Sequence, residues 1–183
     1  MGPIVPSASV IGPSRVVAQA VEDNPVPKLL ENLDEDNLQV ASSAARSLGV
    51  IFAPGGKGGD EAEEVTTALI AKLESPLGAK LREESARALG RMKAKPALEG
   101  IKKAIDDEDI DVAVAAAEAA ANILPVDDAR AFLKQRGADE SQQVKAAVYQ
   151  ALAKIAKAED ADFFIDGLTV DNWRVQQGAV QGL

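Results

Sequence analysis

The sequence predicts an all-α fold, an α-α superhelix of about five helix pairs, and three observations carry that reading. The first is a recurring pattern in which a Val or Leu is followed by small residues and, eight positions on, most often by Leu. The stretches VASSAARSLG, LREESARALG, VAVAAAEAAA, VKAAVYQALA and VQQGAVQGL open at Val40, Leu81, Val112, Val144 and Val175. These anchors stand about 31 residues apart after a first interval about ten longer, a period that marks stacked helical units. The second observation is a start signal at one register. Three residues before the anchors stand Asn37, Gly78, Asp109, Ser141 and Asn172, residue types favoured at helix N-caps. The third is composition: 46% of the 183 residues are hydrophobic but only 3% are aromatic. Ala-rich stretches such as Val112 to Ala121 suit closely spaced helices and not strands.

Residues 1–23 read as an arm with a short helix from about Pro13 to Glu22, Pro13 sitting in its first turn. Ala18-Gln19-Ala20 has the small-x-small look of a signal-peptidase site, but no basic region precedes it and Arg15 stands just before the cut. From residue 24 the repeats follow at about 24–53, 60–92, 95–124, 127–156 and 160–183. Each opens with a first helix whose apolar residues form a stripe: Leu29, Leu30 and Leu33; Leu69, Ile70 and Leu73; Leu98, Ile101 and Ile105; Phe132 and Leu133; Phe163, Phe164 and Leu168. Asn24-Pro25, Asp60, Pro96, Asp127 and Asp160 mark the starts of these helices. A polar turn then leads into the second helix. Counted from the anchor as zero, its positions 0, 4, 8 and 11 are mostly apolar or small, as in Val144, Val148, Leu152 and Ile155.

The longer first interval contains Pro54-Gly-Gly-Lys-Gly-Gly59. Lys57 is followed by Gly and not by Ser or Thr, and no strand precedes it, so a phosphate-binding loop is not indicated. Residues 54–59 read as a flexible surface loop. At the other end, Val175, Ala179 and Leu183 form a stripe with no following unit to cover it. Self-association through the C-terminal repeat is expected from that stripe.

Composition excludes several function classes. The chain has neither Cys nor His, which removes thiol nucleophiles, thiolate metal sites and histidine acid–base catalysis. Asp106 to Asp111 is rich in carboxylates but lacks the Gly of a calcium loop. No catalytic, cofactor-binding or metal site is assigned. A net charge of −9 disfavours nucleic acid, whose binding needs a basic excess. No apolar run is long enough for a membrane span. Composition leans only weakly to the cytoplasm and names no compartment.

The strings SAARSLG, ESARALGRM, AAEAAANIL and AVYQALAKI resemble the second helix of HEAT-like repeats, in particular the short variety found in phycobilin lyases and many bacterial scaffold proteins. The resemblance runs from about Asn24 to Leu183. It implies an α-solenoid whose second helices line a concave surface. It also implies an Asp before the anchor and an Arg after it. Asp111 and Arg82 fit that pattern, whereas Ala41, Ala113, Lys145 and Gln176 occupy the Arg position and leave the ladder incomplete. The His-Glu motifs of HEAT-type di-iron hydroxylases are missing, and the cationic aromatic groove of HEAT-like glycosylases is not matched. The function implied is a non-catalytic protein–protein interaction or scaffold module that presents a groove to a peptide or protein. The alternative is a phycobilin-lyase-like factor for attaching or isomerising a chromophore.

Positions 2, 6 and 10 of the second helices are expected to be exposed in the groove. The candidate partner-binding residues are Arg46, Arg87, Arg91, Glu118, Tyr149, Gln150, Lys154, Gln177 and Gln181. The carboxylates of the turns are expected to form a solvated acidic rim. Trp173 is expected to cover the junction with the preceding repeat, the alternative being that it anchors a partner.

Overall fold

The computed structural model describes residues 24–138 and 141–183 as ten α-helices joined by turns and two short 3-10 segments, with no strand among the described residues. The arm and helix expected within residues 1–23 lie outside the described residues. The helices form five pairs: α1 (Val26–Leu33) with α2 (Leu38–Ile51), α3 (Ala62–Leu73) with α4 (Ala79–Arg91), α5 (Leu98–Ala104) with α6 (Ile110–Ile123), α7 (Val126–Gly137) with α8 (Gln142–Ala153), and α9 (Ala161–Leu168) with α10 (Trp173–Gly182).

Four of the five second helices begin on the side-chain cap that the sequence marks. Asn37 Oδ1 accepts from the N–H groups of Gln39 and Val40 at 3.0 and 3.4 Å. Asp109 Oδ1 does the same for Asp111 and Val112 at 2.9 and 3.3 Å. Ser141 Oγ accepts from Val144 N–H, and Asn172 Oδ1 from Arg174 and Val175 N–H. Each cap satisfies donors that the first turn of a helix leaves without partners. Gly78 serves differently. Its φ is +157°, and a Cβ there would stand 2.8 Å from Leu38 Cδ1, so glycine is present for a close approach between the first two pairs.

The second helices lie side by side in the order α2, α4, α6, α8, α10, and each first helix backs onto its own partner. Small residues set the spacing of this row. A Cβ on Gly49 would fall 2.5 Å from Ala88 Cα, and one on Gly90 would fall 2.7 Å from Ala119 Cα. The backbones therefore nearly touch at α2/α4 and α4/α6. Behind the row, Leu33, Leu48, Leu69, Leu89, Ile101, Ile105, Leu133 and Leu152 are fully buried. Burial of this apolar surface is the main force that holds one pair on the next.

Two expectations, on position 2 and on the last helix, need correction. Position 2 is not groove surface: Ser42, Glu83, Val114 and Ala146 are buried, and only Gln177 is exposed. Close helix spacing draws this position into the seams, and the side chains of Lys80 and Arg87 reach onto Glu83. The exposed Gly-rich loop contains local turns. Gly56 N–H donates to Ala53 O at 2.7 Å and Gly58 N–H to Ile51 O at 2.9 Å, while a Cβ on Gly58 would stand 2.3 Å from the Phe52 ring. Finally, Val175 and Ala179 are buried within the last two pairs. The apolar residues exposed on α10 are Trp173, Val180 and Leu183, and Trp173 is 66% exposed instead of covering a junction.

Candidate partner-binding groove

Positions 6 and 10 of the second helices form two rows across one face of the array. Along position 6 stand Arg46, Arg87, Glu118, Gln150 and Gln181; along position 10 stand Val50, Arg91, Asn122 and Lys154. All are exposed or half-buried. Gln177 is exposed beside them on α10. Helical geometry explains the placement. Positions 0, 4, 8 and 11 point at the first helices, while 3, 5, 7 and 9 fill the seams between neighbouring second helices, leaving 6 and 10 on the open side.

Tyr149 does not belong to this surface. Its ring is buried, stacks on Phe163 at 4.5 Å between centroids, and meets Phe164 edge-on at 6.0 Å. Its hydroxyl donates to Phe163 O at 3.1 Å. Burial pushes the phenol pKa up, as does the nearby Asp166 carboxylate. Position 5 is Ala45, Ala86 and Ala117 in the first three pairs, all buried in seams. That alignment was the available signal that position 5 faces the next repeat.

The charged part of the groove is concentrated on α2 and α4. Arg46 makes a two-pronged contact across the seam with Glu84, Nε to Oε2 at 3.1 Å and Nη2 to Oε1 at 2.6 Å. Lys80 Nζ lies 2.8 Å from Glu83 Oε2 and 3.1 Å from Glu84 Oε1. Arg87 Nε donates to Glu83 Oε1 at 3.1 Å. Both glutamates are buried. Burial pushes the Glu84 carboxyl up, but the hydrogen bonds and charges of Arg46 and Lys80 outweigh it, and the net shift is downward. Glu84 is therefore ionised at neutral pH. Three cations surround two carboxylates, which leaves this network with one positive charge in excess. Arg91 adds a second, because it makes no ion pair among the described residues. Further along, Lys154 Nζ reaches Glu118 Oε1 at 2.7 Å and links α8 to α6.

The two edges of the groove carry different charges. The turns within pairs run into the N-termini of the second helices. Among the described residues they hold Asp34, Glu35, Asp36, Glu74, Asp106 to Asp109 and Asp171, and no Lys or Arg. The loops between pairs hold Lys57, Lys93, Lys95, Lys154 and Lys157 beside a smaller set of carboxylates. Several rim carboxylates are also structural and not merely solvated. Asp107 takes Arg82 Nε at 2.7 Å and Nη2 at 2.9 Å, and its backbone carbonyl accepts from Gln143. The partner of Arg82 is thus Asp107, not Asp111. Asp160 is fully buried and accepts from Arg130 Nε and from the Lys157 N–H, with Lys134 against its other oxygen. These pairs clamp consecutive repeats together. Arg82 and Arg130 gave no sign of this in the sequence beyond being arginines near helix starts.

The clefts in the surface lie elsewhere. One of about 510 Å³ is bordered by Leu73, Pro76, Gly100, Lys103 and Asp106, on the side of the first helices. Two others open near α1 and α3 and beside the Gly-rich turn. None is lined by the position 6 and 10 rows. The rows lie on an exposed face that crosses five adjacent second helices, an extent suited to a macromolecule. Among the described residues no group of three His, Cys, Asp or Glu is placed to hold a metal ion, and no helix is long and apolar enough to cross a membrane.

This architecture has counterparts. The sequence profile described as HEAT repeats matches residues 98–183. The described residues have the all-helical fold of a HEAT-like solenoid. Among solved structures, the solenoid resembles the complex of CpcE and CpcF of phycocyanin lyase from Nostoc sp., with 22% identity, a TM-score of 0.59, and coverage of 99% of this chain and 70% of that one. An engineered protein matches at 22% identity and a TM-score of 0.55, over 87% of this chain and 78% of that one. A designed armadillo repeat protein in complex with the peptide (KR)4 matches at 19% identity and a TM-score of 0.52, over 87% of this chain and 80% of that one. At such identities the likeness shows the fold. No curated protein sequence matches the chain.

Proposed function

We propose that this solenoid is a non-catalytic interaction module that binds a peptide or protein segment along the face lined by positions 6 and 10. The observation that supports this most is the continuous polar surface from Arg46 and Arg87 through Glu118 and Gln150 to Lys154 and Gln181, laid across five packed helices. Stacked helices hold these side chains on a stiff support, so a partner meets a preorganised surface. The designed armadillo protein that holds a peptide supports the reading at the level of fold. A photo-crosslinking residue at Gln150 should capture the partner, and one at Thr67 on the opposite side should not. Equal capture from both positions would show that the groove is not the interface.

The lyase-like reading rests on likeness to the phycocyanin lyase complex alone. It would require a bilin to bind, and a spectral shift on adding free bilin would support it. A secondary contact is expected at the outer side of α10, where Trp173, Val180 and Leu183 are exposed on one face of the helix. Val180 stands at position 5, which is buried in the four preceding pairs. Replacing Val180 and Leu183 with Glu should abolish any concentration-dependent association seen by sedimentation.

A further inference from the structure

We propose that the groove is selective for an extended segment carrying carboxylates, about nine residues long, seated with its acidic side chains on Arg46, Arg87, Arg91 and Lys154. This inference rests on the groove reading and adds the chemistry of the partner.

Part of the groove's charge is already committed. Glu83 and Glu84 are buried beneath their cations, so they neutralise Arg46, Lys80 and Arg87 only from below. The Arg46 side chain is 56% exposed while its Glu84 partner is 4% exposed. The guanidinium therefore has N–H donors left for a second carboxylate on the open side, as five donors in a planar fork allow. Arg91 lies one turn beyond Arg87 on α4 and has no ion pair among the described residues. Glu118 is the only acidic residue in the two rows, and Lys154 already engages it.

Position matters as much as sign. The cations lie toward the edge formed by the C-termini of the second helices, where Lys93 and Lys95 follow Arg91. The opposite edge is lined by carboxylates. An acidic segment is drawn to one side of the groove and repelled from the other, which fixes its lateral position. The chain as a whole carries −9, so the attraction must be short-range, from contacts inside a Debye length of about 8–10 Å.

Length follows from geometry. Neighbouring second helices are spaced about 8–10 Å apart, and an extended chain rises about 3.3 Å per residue. About three residues therefore span one helix, and about nine run from α2 to α8.

Fluorescence anisotropy with labelled nine-residue peptides tests this directly. The probes are three repeats of Glu-Gly-Ser and the same peptide with Lys, or with Gln, in place of Glu; a single-stranded oligonucleotide is the fourth probe. The Glu peptide should bind best at low salt and weaken by about tenfold or more between about 0.05 and 0.3 M salt. Arg91→Glu, which breaks no ion pair among the described residues, should weaken it by about tenfold, and Arg91→Lys should retain most of the binding. Glu118→Gln should tighten it by about twofold, by releasing Lys154. Tighter binding of the Lys peptide or of the oligonucleotide, no binding of the Glu peptide, or indifference to Arg91→Glu would each overturn the proposal. If the crosslinker at Gln150 still captures a partner while the Glu peptide fails, the groove reading stands and only the chemistry assigned to it falls.

Discussion

The first three pairs and the last two share close approaches between second helices but differ in what fills the space around their first helices. Between α2, α4 and α6 the helices approach until backbone meets backbone, with Gly49 against Ala88 and Gly90 against Ala119. In the last two pairs α10 still meets α8 closely, at Gly178 against Tyr149 Cβ and backbone, but around α9 the space is filled by rings. Tyr149 and Phe164 sit against Gly167, Gly178 and Gly182, and Phe163 sits against Gly137. Glycine is used in both regions, but what it makes room for differs. In the first it admits another backbone, which cannot move without shifting a helix. In the second it mostly admits the far parts of side chains. The comparison teaches that one repeat pattern in the sequence can hide two kinds of interface. The charge clamps differ in parallel. Arg46–Glu84 bridges the groove side of the first seam, while Arg130–Asp160 sits buried at the last inter-pair loop.

The largest expected effect tests the backbone contact. Gly90→Val should destabilise by about 3 kcal/mol, the upper part of the usual range for overpacking. Gly90→Ala is the sharper probe. In an open helix it would stabilise by about 0.5–1 kcal/mol, yet here the added Cβ meets Ala119 Cα and the melting midpoint should fall. A rise would show that the α4/α6 seam has slack.

Next in size is the clamp at the other end. Asp160→Ala leaves Arg130 and Lys134 facing a buried void and should cost about 3 kcal/mol. The same carboxylate predicts an acid response. Burial pushes Asp160 up, but Lys134, the Lys157 N–H and Arg130 outweigh it, so its folded value lies below the unfolded one. Asp107 behaves alike through Arg82 and the Asp109 N–H, and Glu84 through Arg46 and Lys80. A depressed carboxylate contributes stability that is fully present above its unfolded pKa and is lost as pH falls through the folded one. With unfolded values of about 3.9 for Asp and 4.3 for Glu, the melting midpoint should hold near neutrality and drop below about pH 4. Asp160→Asn should lower the neutral plateau and flatten the acid limb. An unchanged slope would mean that Asp160 does not drive the transition.

A smaller effect probes the aromatic junction. Tyr149→Phe keeps the stacked ring and removes only the hydrogen bond to Phe163 O, for a loss of about 1 kcal/mol in thermal or urea unfolding. A neutral outcome would assign the junction to ring packing alone.

The array was legible in the sequence because its signals are periodic. The cap at position −3 and the stripe at 0, 4, 8 and 11 repeat, and coincidence at one register carries more weight than any single residue. The rows at positions 6 and 10 were legible for the same reason. What a one-dimensional period does not reveal is how deep each position sits. Position 2 lies at nearly the same angle as position 6, and only the closeness of the helices, set by Gly49 and Gly90, buries it. Tyr149 is hard to place because an aromatic stands where the earlier repeats have Ala, and the glycines that receive it, Gly167 and Gly178, lie far downstream in the last pair. The inter-pair clamps were illegible because Arg82 with Asp107 and Arg130 with Asp160 are long-range partners with no repeated spacing.

The smallest expected effect separates the groove from the fold that carries it. Arg91 is exposed at the end of α4 and makes no ion pair among the described residues, so Arg91→Glu should leave stability within about 0.5 kcal/mol. The corresponding change at Asp107 should not be silent, since Asp107→Lys would set a cation against Arg82 and loosen the second and third pairs. Glu108, whose side chain is 93% exposed on the same turn, provides the neutral rim control. The three variants therefore have an expected order: Glu108→Lys and Arg91→Glu keep the melting midpoint, Asp107→Lys lowers it, and of the first two only Arg91→Glu weakens a partner held in the groove. If Arg91→Glu lowered the midpoint as far as Asp107→Lys, Arg91 would be part of the packing. The groove's free charge would then rest on Arg46 and Arg87, whose carboxylate partners already lie in the same seam.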